Sequence, residues 1–223
     1  MIRAARIGVL GGTFDPIHCG HMATATASRD ALDLSAVLVI PSRLPPHRSE
    51  QPVASAYHRF AMAALAVSNE PRLEASDFEL ASDGLSYTVD TLERLQREGL
   101  APSQIFFITG ADAFEEIATW RRYPEVIDLA HFVVVSRPGH HLDALPARLP
   151  ELASRMRPAT DAPREPDKPR IHLLRASTPD VSSTAVRERL KRGQAITGLV
   201  PPLVEAHIVK HHLYRAEQLH GEI

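Results

Sequence analysis

Short apolar runs alternate along the chain with longer stretches whose apolar residues recur at helical spacing. Five runs rich in Val, Ile or Phe, each bounded by Gly, Pro or polar residues, predict buried strands over 6–10, 36–40, 104–109, 131–136 and 170–174. The stretches between them predict helices over 21–32, 57–68, 88–97, 112–117, 125–130 and 183–192. This order predicts an α/β fold, a doubly wound and mostly parallel sheet with helices on both faces. In such a sheet, ligands bind beyond the carboxyl ends of the strands, where the strand order reverses.

Three segments depart from this alternation. Residues 41–52 read PSRLPPHRSEQP, and their four prolines predict a semi-rigid surface loop. Residues 142–168 predict a short helix followed by a charged, proline-rich stretch, and we expect this segment to be mobile. From Pro201, a proline at a helix start and apolar residues at helical spacing predict a closing C-terminal helix. We expect residues 1–223 to form a single domain, because the last strand and helix are needed to complete the sheet.

Composition and charge narrow the classes of function. Hydrophobic residues make up 44% and charged residues 23% of the 223 residues, as in an ordinary globular protein. The 25 Lys and Arg against 27 Asp and Glu leave a formal net charge of −2, so a nucleic-acid polymer is not an expected partner and any anion site must be local.

Cysteine usage and the length of the apolar runs bear on location. The single cysteine, Cys19, excludes an internal disulfide and fits a reducing compartment. The apolar run that begins at Ile7 is too short for a signal-peptide core, and no run reaches the roughly 18 residues of a membrane span. We therefore expect a cytoplasmic protein without membrane contact.

The segment after the first predicted strand has the features of a phosphate-binding turn. Gly11 and Gly12 let the backbone turn tightly and approach a ligand without a Cβ in the way. The helix that follows presents unpaired N–H groups and the positive end of its dipole, which favour an anion. His18 and His21 lie three residues apart at this helix start and can donate hydrogen bonds to one phosphate chain.

Other interpretations of these residues stay open at this point. A histidine pair at this spacing is most often structural or exposed to solvent, and a zinc site would need further ligands. Cys19 has no legible base for nucleophilic catalysis, and Asp15 and Pro16 each favour a turn. Neither G-x-G-x-x-G nor G-x-x-x-x-G-K-[ST] occurs, which disfavours nicotinamide dehydrogenases and P-loop hydrolases.

A second signal, VSSTAVR over residues 181–187, opens the helix predicted over 183–192. Hydroxyls at a helix start ordinarily cap it, which is worth about 1 kcal/mol. Arg187 lies one turn further on and adds a forked cation beside these hydroxyls. We expect Ser182, Thr184 and Arg187 to form the second half of one polyphosphate site.

At these two segments the chain resembles the nucleotidyltransferase superfamily marked by H-x-G-H, carried by His18 to His21, and by a distal S-S-T-x-x-R, carried by residues 182–187. Within that superfamily it is similar to the bacterial nicotinate-nucleotide adenylyltransferases. The similar stretches follow the order of that family: GGTFDPIHCGH, PSRLPPHR, SYTVDTL, FFITGAD, TW, VVVSRPG, VSSTAVR and VPPLV…HHLY. The resemblance implies a Rossmann-like nucleotidyltransferase fold.

The resemblance also implies a reaction and its partners. The phosphate of nicotinate mononucleotide attacks the α-phosphorus of ATP in line, giving nicotinate adenine dinucleotide and pyrophosphate in NAD biosynthesis. Mg²⁺ is the implied cofactor, bound mainly through ATP phosphates, with no metal site made by the protein alone. Because the attacking phosphate is already anionic, the chain must supply alignment and charge neutralisation. Assembly into a homo-oligomer stays open.

The family's ATP-binding residues are carried over from the two segments. The implied catalytic residues are His18 and His21, with His21 stabilising the transition state at the α-phosphoryl group. The whole implied ATP-binding set is Gly12, Thr13, Phe14, His18, His21, Ser182, Thr184 and Arg187.

The implied binding residues for the acid substrate are Thr88, Asp112, Trp120, His47 and Arg48. Thr88 opens a predicted helix whose N–H groups favour the nicotinate carboxylate. Asp112 accepts from a ribose hydroxyl or caps a helix, and Trp120 stacks on the pyridine ring or packs in the core. The family's P-P-H-K stretch ends here in Arg48, which keeps the cation but changes its shape.

Other functions stay as alternatives. A pantetheine-phosphate adenylyltransferase resembles the chain at the first motif, but it usually carries Thr where this chain has His18. Another H-x-G-H nucleotidyltransferase, such as a cytidylyltransferase, shares the same phosphate chemistry. A non-catalytic nucleotide-binding module is the alternative from a different class.

Overall fold

A computed structural model describes residues 5–45, 52–81, 84–137, 139, 142–161 and 168–215. Its sheet contains seven strands: β1 (Ile7–Gly12), β2 (Ala36–Pro41), β3 (Leu73–Ala75), β4 (Ile105–Gly110), β5 (His131–Val135), β6 (Met156–Pro158) and β7 (Ile171–Leu174). The spatial order is β3-β2-β1-β4-β5-β7-β6, and every neighbouring pair is parallel. The predicted parallel α/β fold is confirmed.

The helices follow most of the predicted spans. The α-helices are α1 (Cys19–Ala31), α2 (Ala56–Val67), α3 (Thr88–Arg97), α4 (Ala111–Glu115), α5 (Leu145–Arg148), α6 (Ser183–Lys191) and α7 (Pro202–Lys210). The helix predicted over 112–117 is shorter, because α4 ends at Glu115 and a 3₁₀ turn, Ile117–Thr119, follows it. The segment predicted over 125–130 is a 3₁₀ helix, Glu125–Asp128. Within the described residues, no helix has the length and apolar character needed to cross a membrane.

The two edge strands, β3 and β6, were not predicted. Each has three residues, too few for a periodic pattern to be recognised. β6 and α5 belong to the segment expected to be mobile, and its described part, 142–161, buries Leu142, Leu145 and Met156 in the core. The mobility of this segment and the single-domain organisation stay predictions.

The sheet separates two apolar cores. In β4, Phe106 and Ile108 belong to the core that also contains residues of α1, α2, α6 and α7. Ile105 and Phe107 belong to the other core, with residues of α3, α4 and α5. This alternation arises because successive strand residues point to opposite faces. Helices therefore cover both faces, as predicted, and the C-terminal helix α7 closes one of them.

The strand order reverses beside β1. The chain leaves β1 through α1 to reach β2 on one side, and β4 pairs with the other side of β1. The carboxyl ends of β1 and β4, at Gly12 and Gly110, therefore flank the switch point at which ligands bind in sheets of this kind.

Candidate active site

The loop after β1 turns sharply between the strand and α1. Phe14 has a left-handed backbone with φ of 50°, and its ring is buried, with 2% of the residue exposed. A Cβ on Gly12 would lie 3.0 Å from Cε1 of Phe14. Glycine at position 12 therefore lets the Phe14 ring fold back beneath the loop.

His18 and His21 form a stacked pair at the start of α1. Their ring centroids lie 3.6 Å apart with an interplanar angle of 23°, and the backbone N–H of His18 donates to Nδ1 of His21 at 3.3 Å. Because Nδ1 accepts this bond, the neutral His21 ring carries its proton on Nε2. Nδ1 of His18 is buried and has no hydrogen-bond partner among the described residues.

Both imidazoles are held in the neutral form. Burial, and then the Arg137 guanidinium, lower the pKa of His18 to about 4. Burial, the neighbouring His18 and Arg137 lower the pKa of His21 well below its usual value. At neutral pH the free protein therefore offers the pair as hydrogen-bonding groups without positive charge.

Gly20 and Cys19 fill the H-x-G-H segment. A Cβ on Gly20 would lie 3.1 Å from the His18 ring and 3.3 Å from the carbonyl oxygen of Pro179, so glycine permits the close approach of both. The Cys19 N–H donates to the Leu199 carbonyl at 2.9 Å. Burial raises the pKa of the Cys19 thiol, which makes it a poor nucleophile.

The start of α6 is bound directly to the loop after β1. Oγ of Ser183 donates to the Pro16 carbonyl at 2.9 Å, and Nη1 of Arg187 donates to the Asp15 carbonyl at 2.7 Å. Nη2 of Arg187 donates to Oγ1 of Thr184 at 3.3 Å. Oγ of Ser182 accepts from the Ala185 N–H at 3.1 Å and so caps the helix. The structure therefore brings the two predicted segments together, and these side chains already bind protein groups.

A cavity of about 150 Å³ opens at this junction, lined by His18, Gly20, Asp112, Arg137 and residues 178–182. Asp112 does not cap α4, because the N-cap residue is Gly110. Its carboxylate lies 3.7 Å from Arg137 Nη1. Sequence reasoning missed Arg137, although its place two residues after β5, at the carboxyl edge of the sheet, was an available signal.

A larger cavity of about 350 Å³ lies beside the first and is lined by Ser86, Tyr87, Thr88, Val89, Ala113, Glu116, Thr119, Trp120 and Arg121. Thr88 is the first residue of α3. The Trp120 ring meets Phe107 edge-on at 5.8 Å, so it both packs against the core and lines the cavity. Asp112 and Ala113 are consecutive in α4 and line one cavity each, so the two cavities are neighbours. His47 and Arg48 lie outside the described residues.

Asp15 does more than form a turn. Its carboxylate is buried, with 1% of the residue exposed, and accepts from the N–H groups of Val53 at 2.9 Å and Ala54 at 3.1 Å. Tyr214 donates its hydroxyl to Oδ1 of Asp15 at 2.7 Å. Sequence reasoning missed these contacts, because their partners are distant along the chain.

Arg59 of α2 binds the carbonyls that follow two strands. It is 1% exposed, and it donates to Thr13 at 2.7 Å, to Ser42 at 2.6 Å and to Arg43 at 3.0 Å. A cation on the apolar face of a helix, three residues before the buried Met62, was the signal available in the sequence.

The described residues contain no group of three or more His, Cys, Asp or Glu side chains arranged to hold a metal ion. The carboxylates that line the smaller cavity are those of Asp112 and Asp180. Mg²⁺ commonly takes one or two carboxylates and completes its coordination with phosphate oxygens and water. This donor set therefore fits an ion that arrives with a nucleotide.

Comparison with known proteins agrees with this geometry. The family model described as Cytidylyltransferase-like matches residues 9–189. Two chains of nicotinic acid mononucleotide adenylyltransferase from Plasmodium falciparum, complexed with NaAD and with APC, share the fold with TM-scores of 0.73 and 0.71 at 19% identity, over 94% of this chain and 97% of each of theirs. The fold and the site thus define a nucleotidyltransferase.

Curated relatives narrow this class. A protein of Moorella thermoacetica named "Probable nicotinate-nucleotide adenylyltransferase" is 40% identical over 96% of this chain and 93% of its own length. A protein of Acidothermus cellulolyticus with the same name is 40% identical over 96% of both chains. The chain belongs to the nicotinate-nucleotide adenylyltransferase family.

Proposed function

We propose that this chain transfers the adenylyl group of ATP to nicotinate mononucleotide, releasing pyrophosphate and forming nicotinate adenine dinucleotide. One observation carries the proposal: the stacked pair His18 and His21, with an unpartnered buried nitrogen, stands at the switch point beside a cavity lined by Thr88 and Trp120. A buried polar atom without a protein partner is satisfied when a ligand supplies one, and a phosphate oxygen does so here.

ATP occupies the smaller cavity and the loop after β1. The backbone of Gly12, Thr13 and Phe14 lies along the nucleotide, and Nε2–H of His21 donates to the α-phosphoryl oxygen on which charge develops. His18 donates to the same phosphate chain. A neutral imidazole contributes a directed hydrogen bond, and a donor already in place costs no reorganisation during the reaction.

The β and γ phosphates extend toward the start of α6. Thr184 and Nη2 of Arg187 turn from each other toward the phosphates, while Nη1 of Arg187 keeps its bond to the Asp15 carbonyl. Ser182 offers its hydroxyl and the helix its first N–H groups. Arg137 supplies a second cation from the wall of the smaller cavity. Asp112 and Asp180 would hold a Mg²⁺ ion that arrives with ATP, and the ion would supply neutralisation of phosphate charge.

Nicotinate mononucleotide occupies the larger cavity. Its pyridine ring stacks on Trp120, and its carboxylate faces the start of α3, where Thr88 is the first helical residue. One anion at a helix start is worth about 0.3–1 kcal/mol, or up to about 2 kcal/mol when partly buried, which favours the acid over the amide. Asp112 accepts from a ribose hydroxyl of nicotinate mononucleotide, and His47 and Arg48 add contacts to the phosphate of that nucleotide.

The remaining partner and location assignments rest on the sequence. We propose the cytoplasm as the location, because one cysteine in 223 residues fits a reducing compartment. The net charge of −2 supports small anionic partners over a nucleic-acid polymer.

A pyrophosphate-release assay with a panel of substrates tests the proposal. We expect release only when ATP, Mg²⁺ and nicotinate mononucleotide are all present, with the amide analogue much poorer. Equal use of the amide analogue would overturn the assignment of the acid substrate. Release with phosphopantetheine as the only acceptor that works, or with CTP in place of ATP, would assign another nucleotidyltransferase. Tight ATP binding without product under saturating acceptor would identify a non-catalytic module.

A further inference from the structure

We infer that Tyr214 is a positioning residue for nucleotide binding, acting through the carboxylate of Asp15 on the loop after β1. The inference rests on the proposed function, because that loop is where the ATP phosphates are proposed to bind. Tyr214 lies four residues beyond the end of α7, far along the chain from the site residues.

The contact between the two residues is short and buried. The Tyr214 hydroxyl donates to Oδ1 of Asp15 at 2.7 Å, with 5% of Tyr214 exposed. A buried carboxylate is costly unless its oxygens accept hydrogen bonds, and each donor to it also fixes its place. Val53 donates to Oδ2 of Asp15, and Ala54 and Tyr214 both donate to Oδ1, so two segments distant along the chain hold this carboxylate.

The phenol is suited to remain a donor. Burial, and then the Asp15 carboxylate, raise the pKa of Tyr214, so its proton stays in place over the whole physiological range. The backbone of Tyr214 is left-handed, with φ of 63°, a conformation that is uncommon for a bulky residue. α7 anchors this segment independently through Val204 and Ile208, which are buried in the core.

Movement of Asp15 would be transmitted to the phosphate site. Its own carbonyl accepts from Arg187, and the next carbonyl, of Pro16, accepts from Ser183. His18 follows only three residues later and is the N-cap residue of α1. The carboxylate of Asp15 therefore sets the relative position of the two helix starts on which ATP is proposed to bind.

The substitution Tyr214→Phe removes the hydroxyl and keeps the ring. We expect kcat/KM for ATP to fall about tenfold, because misplacement of a binding loop costs alignment of the reacting groups. KM for nicotinate mononucleotide should change less than about twofold, since its cavity is built from other elements. Tyr123→Phe is the matched control: its hydroxyl also donates to a carboxylate, that of Glu151 at 2.9 Å, but on the exposed surface.

A double-mutant cycle separates positioning from simple stability. If Tyr214 acts through Asp15, the variant carrying both Tyr214→Phe and Asp15→Ala should be no worse for ATP than Asp15→Ala alone, because alanine leaves no side-chain oxygen to accept from Tyr214. Losses that multiply in the double variant, wild-type kinetics in Tyr214→Phe, or an equal loss in Tyr123→Phe would each overturn the inference.

Direct titration with ATP keeps this inference distinct from the proposed function. Weaker ATP binding by Tyr214→Phe than by wild type, without any acceptor present, supports the positioning role whatever the acceptor is. Absence of pyrophosphate release by the wild type with nicotinate mononucleotide would instead reject the proposed reaction. Unchanged ATP affinity in Tyr214→Phe together with unchanged kinetics would reject the role of Tyr214 alone.

Discussion

His21 is oriented by its own helix start. The His18 N–H occupies Nδ1 of His21 and so leaves Nε2–H as the group that a ligand can meet. Such an arrangement fixes both the tautomer and the orientation of the ring before ATP binds. The depressed pKa of His21 means that this donor acts without a full positive charge, and fixed charge must come from the arginines nearby.

The substitution His21→Ala should lower kcat by about 10²–10³, the usual effect of removing one donor to a transition state. KM for nicotinate mononucleotide should change little, because His21 is absent from the lining of the larger cavity. Steady-state pyrophosphate release measures both values. His211→Ala, the same change at an exposed histidine after α7, serves as the control. A kcat for His21→Ala within about threefold of wild type would show that His21 does not stabilise the transition state at the α-phosphoryl group.

The histidine pair could be predicted because its signals are adjacent in the sequence. The glycines, the helix start and both histidines fall within residues 11–21, where local geometry determines the outcome. Arg137 lines the smaller cavity and Tyr214 contacts Asp15, each from a distant segment, so their approach depends on strand order and on the docking of α7. Asp15 shows the limit of local reasoning: a turn was predicted, but the partners of its carboxylate were not.

At the scale of elements, α2 joins the ends of two strands. Arg59 donates to the carbonyl of Thr13, after β1, and to the carbonyls of Ser42 and Arg43, after β2. The planar guanidinium can reach carbonyls in several directions at once, which an ammonium group cannot do in the same way. α2 thereby fixes the separation of two loops at the edge of the sheet that carries the site.

Replacing Arg59 with lysine keeps the positive charge and removes the planar guanidinium with its several N–H donors. We expect Arg59→Lys to lower the free energy of unfolding by about 3 kcal/mol, because hydrogen bonds to a charged group are worth about 1.5–3 kcal/mol each and buried carbonyls lose donors. Urea denaturation followed by circular dichroism measures the change. Arg189→Lys, at an exposed arginine that donates to one carbonyl, should cost less than about 0.5 kcal/mol. Equal stability of the two variants would contradict this account of Arg59.

Element length decided which parts of the fold could be predicted. The run over 104–109 is long and apolar enough to identify β4. The edge strands β3 and β6 have three residues each and are recognised only by their hydrogen-bonded pairing with β2 and β7. The segment 125–130 has helical spacing but forms a 3₁₀ helix at its start, since propensity over one turn does not distinguish the two helices.

At the scale of the whole molecule, near-neutral net charge and local anion sites are compatible. The formal net charge of −2 is the sum over all charged residues of the chain. Arg137 and Arg187 lie close to helix starts at the switch point. The fold thus brings two arginines and two helix starts to the point where the strand order reverses, with no basic surface required.

The sheet also buries histidines far from the site, which ties global stability to pH. His131 in β5 and His172 in β7 are fully buried, with Nε2 of His172 3.2 Å from Nδ1 of His131. Burial is the main cause that lowers the pKa of His131 to about 3 and that of His172 to about 4. His172 and the neighbouring Arg6 and Arg170 lower the pKa of His131 further, and the two arginines do the same for His172.

These histidines, together with His18, predict loss of stability in mild acid. An unfolded histidine gains its proton near pH 6.5, whereas the folded protein keeps these rings neutral to about pH 4. The unfolded state therefore binds more protons below pH 6.5, and the free energy of unfolding falls as the pH drops from 6.5 toward 4. Above about pH 7.5 these groups are neutral in both states, so they add no pH dependence there.

These three groups alone should lower the free energy of unfolding by about 4 kcal/mol between pH 7.5 and 5.5. Urea denaturation at pH 7.5, 6.5 and 5.5 measures this fall. His172→Gln removes one titrating ring and keeps a polar atom near the position of Nε2, so the fall should shrink by about 1 kcal/mol. A wild-type free energy of unfolding that stayed constant to pH 5.5 would show that the buried rings are protonated in the folded state as readily as in the unfolded chain.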